Sequence, residues 1–542
     1  MLAGESISSF TLFEHFTAEA AKHPNRLAFT FLLANLEARD YTFGELFERT
    51  RAVAGALARH QLDDHSLVGI LVESQEAQVL HYLAALSLGL APAILTPPNR
   101  KMNYDYYRRN IQAVLGYCGF SAVITRMAEL APTVPVLEPY TARARGAISR
   151  RAAAASEAAF LQFSSGTTGI KRGVVVNNRA VLSQLIAYGN AIGLTPDDTI
   201  VSWLPLYHDM GFIACLNLSL AFGAHAVMMQ PMDWVANPAM YLRAIDRYRA
   251  TLGWNPNFAF AFMADRIREP DLTGLALGSL RGLINCSEPV THLSQGLFRD
   301  RFSPYGLSRN VFWGCYAMAE TTFAITHGTS ADPGYLDFQG PVDTGLRSNS
   351  RPFLSVGRPL AGVDLKVVSD GGQTCSDRQV GELWVKSPFN FTGYHNNPED
   401  THLALCDGWY KTGDLGYQLD GQFFVSGRKK DVLIVGGANL YPQDIEDEAA
   451  KVAGIKLGRV AAFAAFDERL QTEYLVVLAE TDVTGSEGLR LFTEVRQRLQ
   501  AAFNISNFVV DLLAPGWLIK SSAGKMARRA NREKWFARSE IS

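Results

Sequence analysis

Phe163-Ser164-Ser165-Gly166-Thr167-Thr168-Gly169-Ile170-Lys171-Arg172-Gly173 is the stretch on which the reading of this chain turns. It follows an apolar run over residues 159–163 that reads as a strand. Small residues after a strand let backbone N–H groups converge on an anion, and the Ser and Thr hydroxyls add donors. Lys171 and Arg172 add positive charge. The spacing differs from the GxxxxGK[ST] loop of common nucleotide hydrolases. Taken alone, such a cluster also fits a plain polar turn. The strand before it and the basic pair after it favour phosphate.

Upstream, helical and strand patterns alternate. Residues 11–22 and 41–59 have helical apolar spacing, the second behind the cap-like Thr42-Phe43-Gly44-Glu45. Residues 67–72 and 91–95 are strand-length apolar runs on either side of a helical pattern at 77–88. Such alternation implies parallel sheets with crossover helices. The Ala/Arg-rich segment 143–159 precedes the strand at 159–163. Residues 210–232 are the most apolar region, but Asn217, Ser219, His225 and Gln230 interrupt them. They read as a buried helix followed by a strand rather than a membrane span, because polar groups in lipid are costly.

From Ser355 the texture changes. Residues 363–368 and 381–385 read as strands joined through Asp370-Gly371-Gly372, and residues 421–426 as another after Asp420-Gly421. These make a compact β-rich unit near 355–427. Beyond the charged turn Arg428-Lys429-Lys430-Asp431 lies a last α/β block, with strands expected at 460–466 and 474–479 and a helix at 489–503. A charged turn between two apolar strands is a reasonable hinge.

Composition sets the outer limits. The 542 residues are long enough for three to four structural units. A net charge of −2 argues against a nucleic-acid binder driven by bulk charge. With 48% apolar and 19% charged residues, global disorder is excluded. None of the six cysteines (118, 215, 286, 315, 375 and 406) has CxxC spacing, which gives no support for a zinc cluster or a disulfide framework and points to a reducing compartment. The first residues lack a basic start followed by an apolar stretch, so no targeting segment is expected. The expected setting is cytoplasmic, with no transmembrane segment.

Two further motifs carry chemistry. In Tyr410-Lys411-Thr412-Gly413-Asp414-Leu415-Gly416, an Asp on a Gly-flanked turn suits the two hydroxyls of a ribose, or caps its own backbone. In Ile519-Lys520-Ser521-Ser522-Ala523-Gly524-Lys525-Met526, a Lys after a Ser-Gly loop can reach a distant site. The alternative is a solvated basic helix, since residues 520–538 are strongly basic.

Taken together and in order, these segments resemble the adenylate-forming superfamily of acyl- and aryl-CoA synthetases, adenylation domains and luciferases. The resemblance spans nearly the whole chain. Cys315-Tyr316-Ala317-Met318-Ala319-Glu320-Thr321 is similar to the family's YGxTE segment, and Gly427-Arg428-Lys429-Lys430-Asp431 to its GRxxD hinge. Four stretches resemble the fatty acyl-AMP ligase branch. They are Ser202-Trp203-Leu204-Pro205-Leu206-Tyr207-His208-Asp209-Met210-Gly211, Asn255-Pro256-Asn257-Phe258-Ala259-Phe260, Asn285-Cys286-Ser287-Glu288-Pro289-Val290 and Asn439-Leu440-Tyr441-Pro442-Gln443-Asp444-Ile445-Glu446. The long interval between Glu320 and Ser355, with its extra residues 328–351, resembles the insertion that marks this branch and restrains its C-terminal domain.

The resemblance implies an α/β fold. A large N-terminal domain (1–429) would hold two parallel-type α/β subdomains and the small β-rich one, followed by a small mobile α+β C-terminal domain (430–542). It implies ATP-dependent activation of a fatty or related carboxylic acid to acyl-AMP. Acyl transfer to the phosphopantetheine thiol of an acyl carrier protein would follow, with ATP and Mg²⁺ as cofactors. Ser164, Ser165, Gly166, Thr167, Thr168 and Gly169 would cradle phosphates, with Arg172 where the family has Lys. Thr168 and Glu320 would place the metal. Ser287, Glu288, Tyr316, Ala317 and Thr321 would border the adenine. Asp414 would take the ribose hydroxyls, with Arg428 beside it. Lys525 would bridge the acyl carboxylate and the α-phosphate. His208, Trp254, Asn257 and Phe258 would form the acyl pocket and its gate, and Lys430 the hinge. Ala317 and Cys286 replace glycines and add bulk near the adenine. Trp254 replaces a small residue and is expected to occlude part of the acyl tunnel, or else to pack away from it. The competing readings are an acyl-CoA synthetase using free CoA and a non-catalytic acyl-adenylate- or lipid-binding protein.

Overall fold

The computed structural model describes residues 11–98, 104–140, 157–163, 172–287, 290–329, 335–341, 352–435, 438–467, 472–503, 505, 508–521 and 524–539. The segments that resemble family motifs at 164–171 and 288–289 lie outside them, as do residues 330–334 and 342–351 of the long interval.

The expected alternation of helix and strand produces parallel sheets. The largest has nine strands. Six run parallel in the order Phe312–Ala317, Gly282–Asn285, Leu252–Asn255, Thr199–Ser202, His225–Met229 and Leu27–Leu32, and antiparallel strands close both edges. A second sheet is all parallel, in the order Ala91–Ile94, Leu67–Ile70, Ala122–Ile124 and Val136–Leu137. Strands buried on both faces need continuous apolar sequence, and Leu67–Ile70 and Ala91–Ile94 are buried at every position. The helices start where their caps require. Thr42 accepts from the Glu45 N–H and Glu45 returns a bond to the Thr42 N–H, a capping box that opens the helix Phe43–Leu57. The apolar stretch after Asp209 winds as a wide π-helical turn over Met210–Asn217, runs on into the helix Leu218–Phe222, and is followed by the strand His225–Met229. No helix among the described residues is long and apolar enough to cross a membrane.

The β-rich unit is a five-stranded antiparallel sheet built on Asp364–Val368, Gly381–Lys386, Trp409–Leu419 and Gln422–Arg428, with the short Leu405–Cys406 at its edge. Its last hairpin turns through Asp420 and Gly421, both at positive φ (52° and 74°), the backbone that a tight two-residue hairpin demands. Beyond Leu433 the apolar residues pack into cores of their own, around the strands Ile455–Asp467, Thr472–Thr481 and Phe508–Leu513 and the helices Pro442–Ala450, Gly485–Phe503 and Arg528–Ser539. The strand Phe508–Leu513 and the helix Pro442–Ala450 are additions to the sequence reading.

Part of the long interval lies among the described residues. Leu336–Asp337 pairs with Phe353–Leu354, and the buried Asp337 carboxylate accepts from Arg378 Nη1 at 2.8 Å and from Tyr417 Oη at 3.0 Å. This ionic anchor fastens the interval to the β-rich sheet.

Candidate active site

The C-terminal ends of the parallel strands, the β-rich sheet and the chain beyond residue 429 enclose a cleft of about 2990 Å³. Open α/β sheets place ligands at these strand ends. Antiparallel register sets its first charged pair: Asp414 and Arg428 are direct partners across the hairpin, with Arg428 Nε 3.1 Å from Asp414 Oδ1. The other Asp414 oxygen accepts from Tyr316 Oη at 2.8 Å, at the end of the strand Phe312–Ala317. The Asp414 N–H is held by Thr412 Oγ1. Burial and the Asp414 charge push the Tyr316 phenol well above its ordinary range, so it stays a donor. The Asp414 charge in turn raises the Arg428 guanidinium.

Glu320 follows in the short turn Ala319–Thr321. Its Oε1 accepts from Tyr394 Oη at 2.9 Å, and burial raises its carboxyl above the ordinary range. An oxygen donor facing the cleft fits a hard cation such as Mg²⁺, which takes carboxylate oxygens together with substrate phosphates. Thr168, the other metal position, lies outside the described residues. Among those residues no group of three or more His, Cys, Asp or Glu side chains forms a metal cage. Arg172 reaches the same wall: its Nε lies 2.9 Å from Asp400 Oδ2 and its guanidinium stacks 5.0 Å over the Tyr394 ring. Tyr394 and Asp400 were not singled out in the sequence. The fold brings them there: the short Gly393–Tyr394 strand pairs with Gly173–Asn177, just after the phosphate segment.

In the chain that follows strand Thr199–Ser202, on the wall that lines the same cleft, His208 Nδ1 lies 2.6 Å from Asp209 Oδ1. Burial alone would raise the Asp209 carboxyl, but its contact with His208, the Lys525 charge and the Met210 N–H bring it below its ordinary value. Lys525, more than three hundred residues away in sequence, therefore reaches this wall, and it lines the cleft with Ser287, Ala317, Glu320, Asp414, Arg428 and Lys430. Lys430 sits in the turn Lys429–Asp431. Its neighbour Asp431 lies 3.6 Å from Arg528, which also grips Glu446 through two bonds of 2.7 and 2.6 Å.

Asn257 and Phe258 line the cleft where strand Leu252–Asn255 passes into helix Asn257–Arg266. The Asn257 side chain is committed to the turn: it accepts from Asn285 Nδ2 and the Thr291 N–H and donates to Thr291 Oγ1. Three expectations need correction. Trp254 does not line the cleft. Strand alternation turns Asn255 to Trp203 and Tyr241 but Trp254 to the other face, where it is 0% exposed and its Nε1 donates to Tyr188 Oη at 2.9 Å. Cys286, expected to add bulk near the adenine, is buried and does not line the cleft itself, although its Sγ lies 4.0 Å from the hydroxyl of Ser287, which does. The Thr321 hydroxyl is spent on its own turn, donating to the Met318 and Phe323 carbonyls.

Residues 16–395 match the family of AMP-binding enzymes. A long-chain-fatty-acid–AMP ligase of Mycobacterium marinum is 29% identical over 578 residues, an alignment that covers 95% of this chain and 96% of that protein. A 4-hydroxyphenylalkanoate adenylyltransferase of Mycobacterium tuberculosis is 28% identical over 588 residues, covering 98% of this chain and 93% of that protein. A structure from a study of fatty acyl-adenylate ligases from E. coli and L. pneumophila is similar with a TM-score of 0.89 at 26% identity, over 98% of this chain and 99% of that one. The L. pneumophila fatty acyl-adenylate ligase in complex with acyl adenylate and pyrophosphate has a TM-score of 0.74 at 26% identity, over 99% and 98% of the two chains.

Proposed function

The chain belongs to the AMP-binding enzyme family, and from that premise we propose that it activates a fatty or related carboxylic acid with ATP and passes the acyl group to the phosphopantetheine thiol of a carrier protein. In the first step a carboxylate oxygen attacks the α-phosphorus of ATP, the bond to the β-phosphate breaks, and pyrophosphate leaves. In the second the thiol attacks the acyl carbonyl, AMP leaves, and the thiol proton passes to solvent. Two anions must meet in the first step, so catalysis consists of positioning and charge stabilisation.

The observation that carries this reading is the meeting of Asp414, Arg428 and Tyr316 with Glu320 and, from the far end of the chain, Lys525, all around one cleft. An ionised Asp414 accepts from the two ribose hydroxyls while Arg428 and Tyr316 hold it in place. The Lys525 ammonium lies between the incoming carboxylate and the α-phosphate and offsets the charge that builds there. Mg²⁺ bound with the nucleotide neutralises phosphate charge, and Glu320, oriented by Tyr394, is the described carboxylate suited to it. The M. marinum relative, a long-chain-fatty-acid–AMP ligase, supports a fatty acid as substrate.

The test is pyrophosphate release from ATP with a panel of carboxylic acids, followed by addition of CoA or a phosphopantetheinylated carrier protein. Release that depends on the acid, with thioester formed on the carrier and not on CoA, is the expected result. Equal thioester formation on CoA refutes the carrier step.

A further inference from the structure

The residues that bring Lys525 to the cleft form a built contact with the N-terminal part of the chain. The segment around Lys525 is a tight hairpin. Lys520 and Met526 pair as an isolated antiparallel bridge, the Ser521 N–H donates to the Lys525 carbonyl at 2.7 Å, and the Gly524 N–H donates to the Ser521 carbonyl at 2.9 Å. Asn531, 0% exposed, bonds both the N–H and the carbonyl of Ile519 and so staples the hairpin to the helix Arg528–Ser539. Two of its described residues, Lys520 and Gly524, meet the ring of Phe258. Lys520 Nζ stands 5.3 Å above its centroid, a cation–π distance, and a Cβ placed on Gly524 would lie 2.9 Å from Phe258 Cε1 and 3.1 Å from Cζ. Gly524 also has φ +79°. Behind the ring lie Trp203 and Trp234, stacked 3.6 Å apart and each edge-on to Phe258. The seat is therefore rigid, and the approach is so close that only a hydrogen fits at position 524.

We propose that Phe258 and Gly524 are positioning residues that seat Lys525 in the cleft for the adenylation step. The inference rests on the adenylation reading above. It gives Phe258, expected as an acyl-pocket residue, a second role. A rotation of the C-terminal part away from this wall would break the contact, so the seat serves the first half-reaction.

The test is a double-mutant cycle on the full chain with Gly524→Ala, Phe258→Leu and the pair. Gly524→Ala is expected to lower kcat for pyrophosphate release at least tenfold with KM for ATP within threefold of wild type. The pair is expected to recover at least threefold over Gly524→Ala, because trimming the ring makes room for the methyl group. Backbone strain at position 524 acts equally in both backgrounds, so the cycle isolates the contact. Additive losses, or a loss confined to KM for the acid, overturn the proposal. Amide hydrogen exchange over residues 257–266 reads the same contact without turnover. Protection should fall in Gly524→Ala and return in the pair, and unchanged protection in all four proteins overturns the proposal. A wild-type protein that releases no pyrophosphate with any acid refutes the adenylation reading instead, and the exchange result still decides whether the seat exists.

Discussion

Asp414→Asn separates the charge of the clamp from its shape. The buried Asp414 carboxylate takes Tyr316 Oη at 2.8 Å and Arg428 Nε at 3.1 Å. Asparagine keeps the outline but puts an NH₂ against one of these two donors, and the Arg428 guanidinium loses its carboxylate. Loss of one charge-assisted hydrogen bond costs ~2 kcal/mol of stability. In the ligand complex the two ribose hydroxyls would each lose an ionised acceptor, at ~1.5 kcal/mol each, so AMP affinity should fall by ~10²-fold. Calorimetric titration with AMP, beside a denaturant melt, measures both quantities. Tyr316→Phe is the control: it removes one donor and leaves the charge, so AMP affinity should change by less than about tenfold. If Asp414→Asn binds AMP within threefold of wild type while its stability falls, Asp414 only holds the hairpin and the ribose assignment is wrong.

Lys525→Ala should slow acyl-AMP formation by ~10²–10³ with an unchanged melt, since it removes a charge that acts in the transition state; normal pyrophosphate release would refute the role. Trp254→Ala should cost ~3–5 kcal/mol through the cavity it leaves beside Tyr188, yet leave the acyl chain-length profile of adenylation unmoved, because the indole faces away from the cleft; a shifted profile would restore it to the acyl pocket. His327 packs edge-on to Tyr188 and Trp313, and burial lowers its pKa from 6.5 to about 3. It is neutral in the fold and protonates first in the unfolded chain, so its contribution is complete above pH 6.5 and is lost as the pH falls toward 3. That loss amounts to ~2 kcal/mol at pH 5. His327→Leu should flatten this part of the stability curve, and an acid limb identical to wild type would refute the assignment.

Local chemistry was legible in this sequence wherever a residue acts on its own neighbours. The capping box at Thr42–Glu45, the positive-φ turn at Asp420–Gly421 and the apolar runs of the parallel strands need only a few adjacent residues, and each stands where the pattern puts it. The Asp414–Arg428 pair was half legible. Each residue sits in its own motif, but their contact depends on hairpin register, with a shift between Leu415 and Gly416, which no local pattern fixes. Contacts between distant segments were not legible. Tyr394 meets Glu320, Asp337 meets Arg378 and Gly524 meets Phe258 only because the fold brings segments far apart in sequence together, and a lone Tyr, Asp or Gly carries no sign of its partner. Trp254 shows the same limit from the other side. Its place beside Asn255-Pro256-Asn257 suggested the acyl pocket, but adjacent strand residues face opposite ways. The hydrogen bond from Trp203 to Asn255 settles which of the two looks toward the cleft wall, and Trp254 is left to the core behind it.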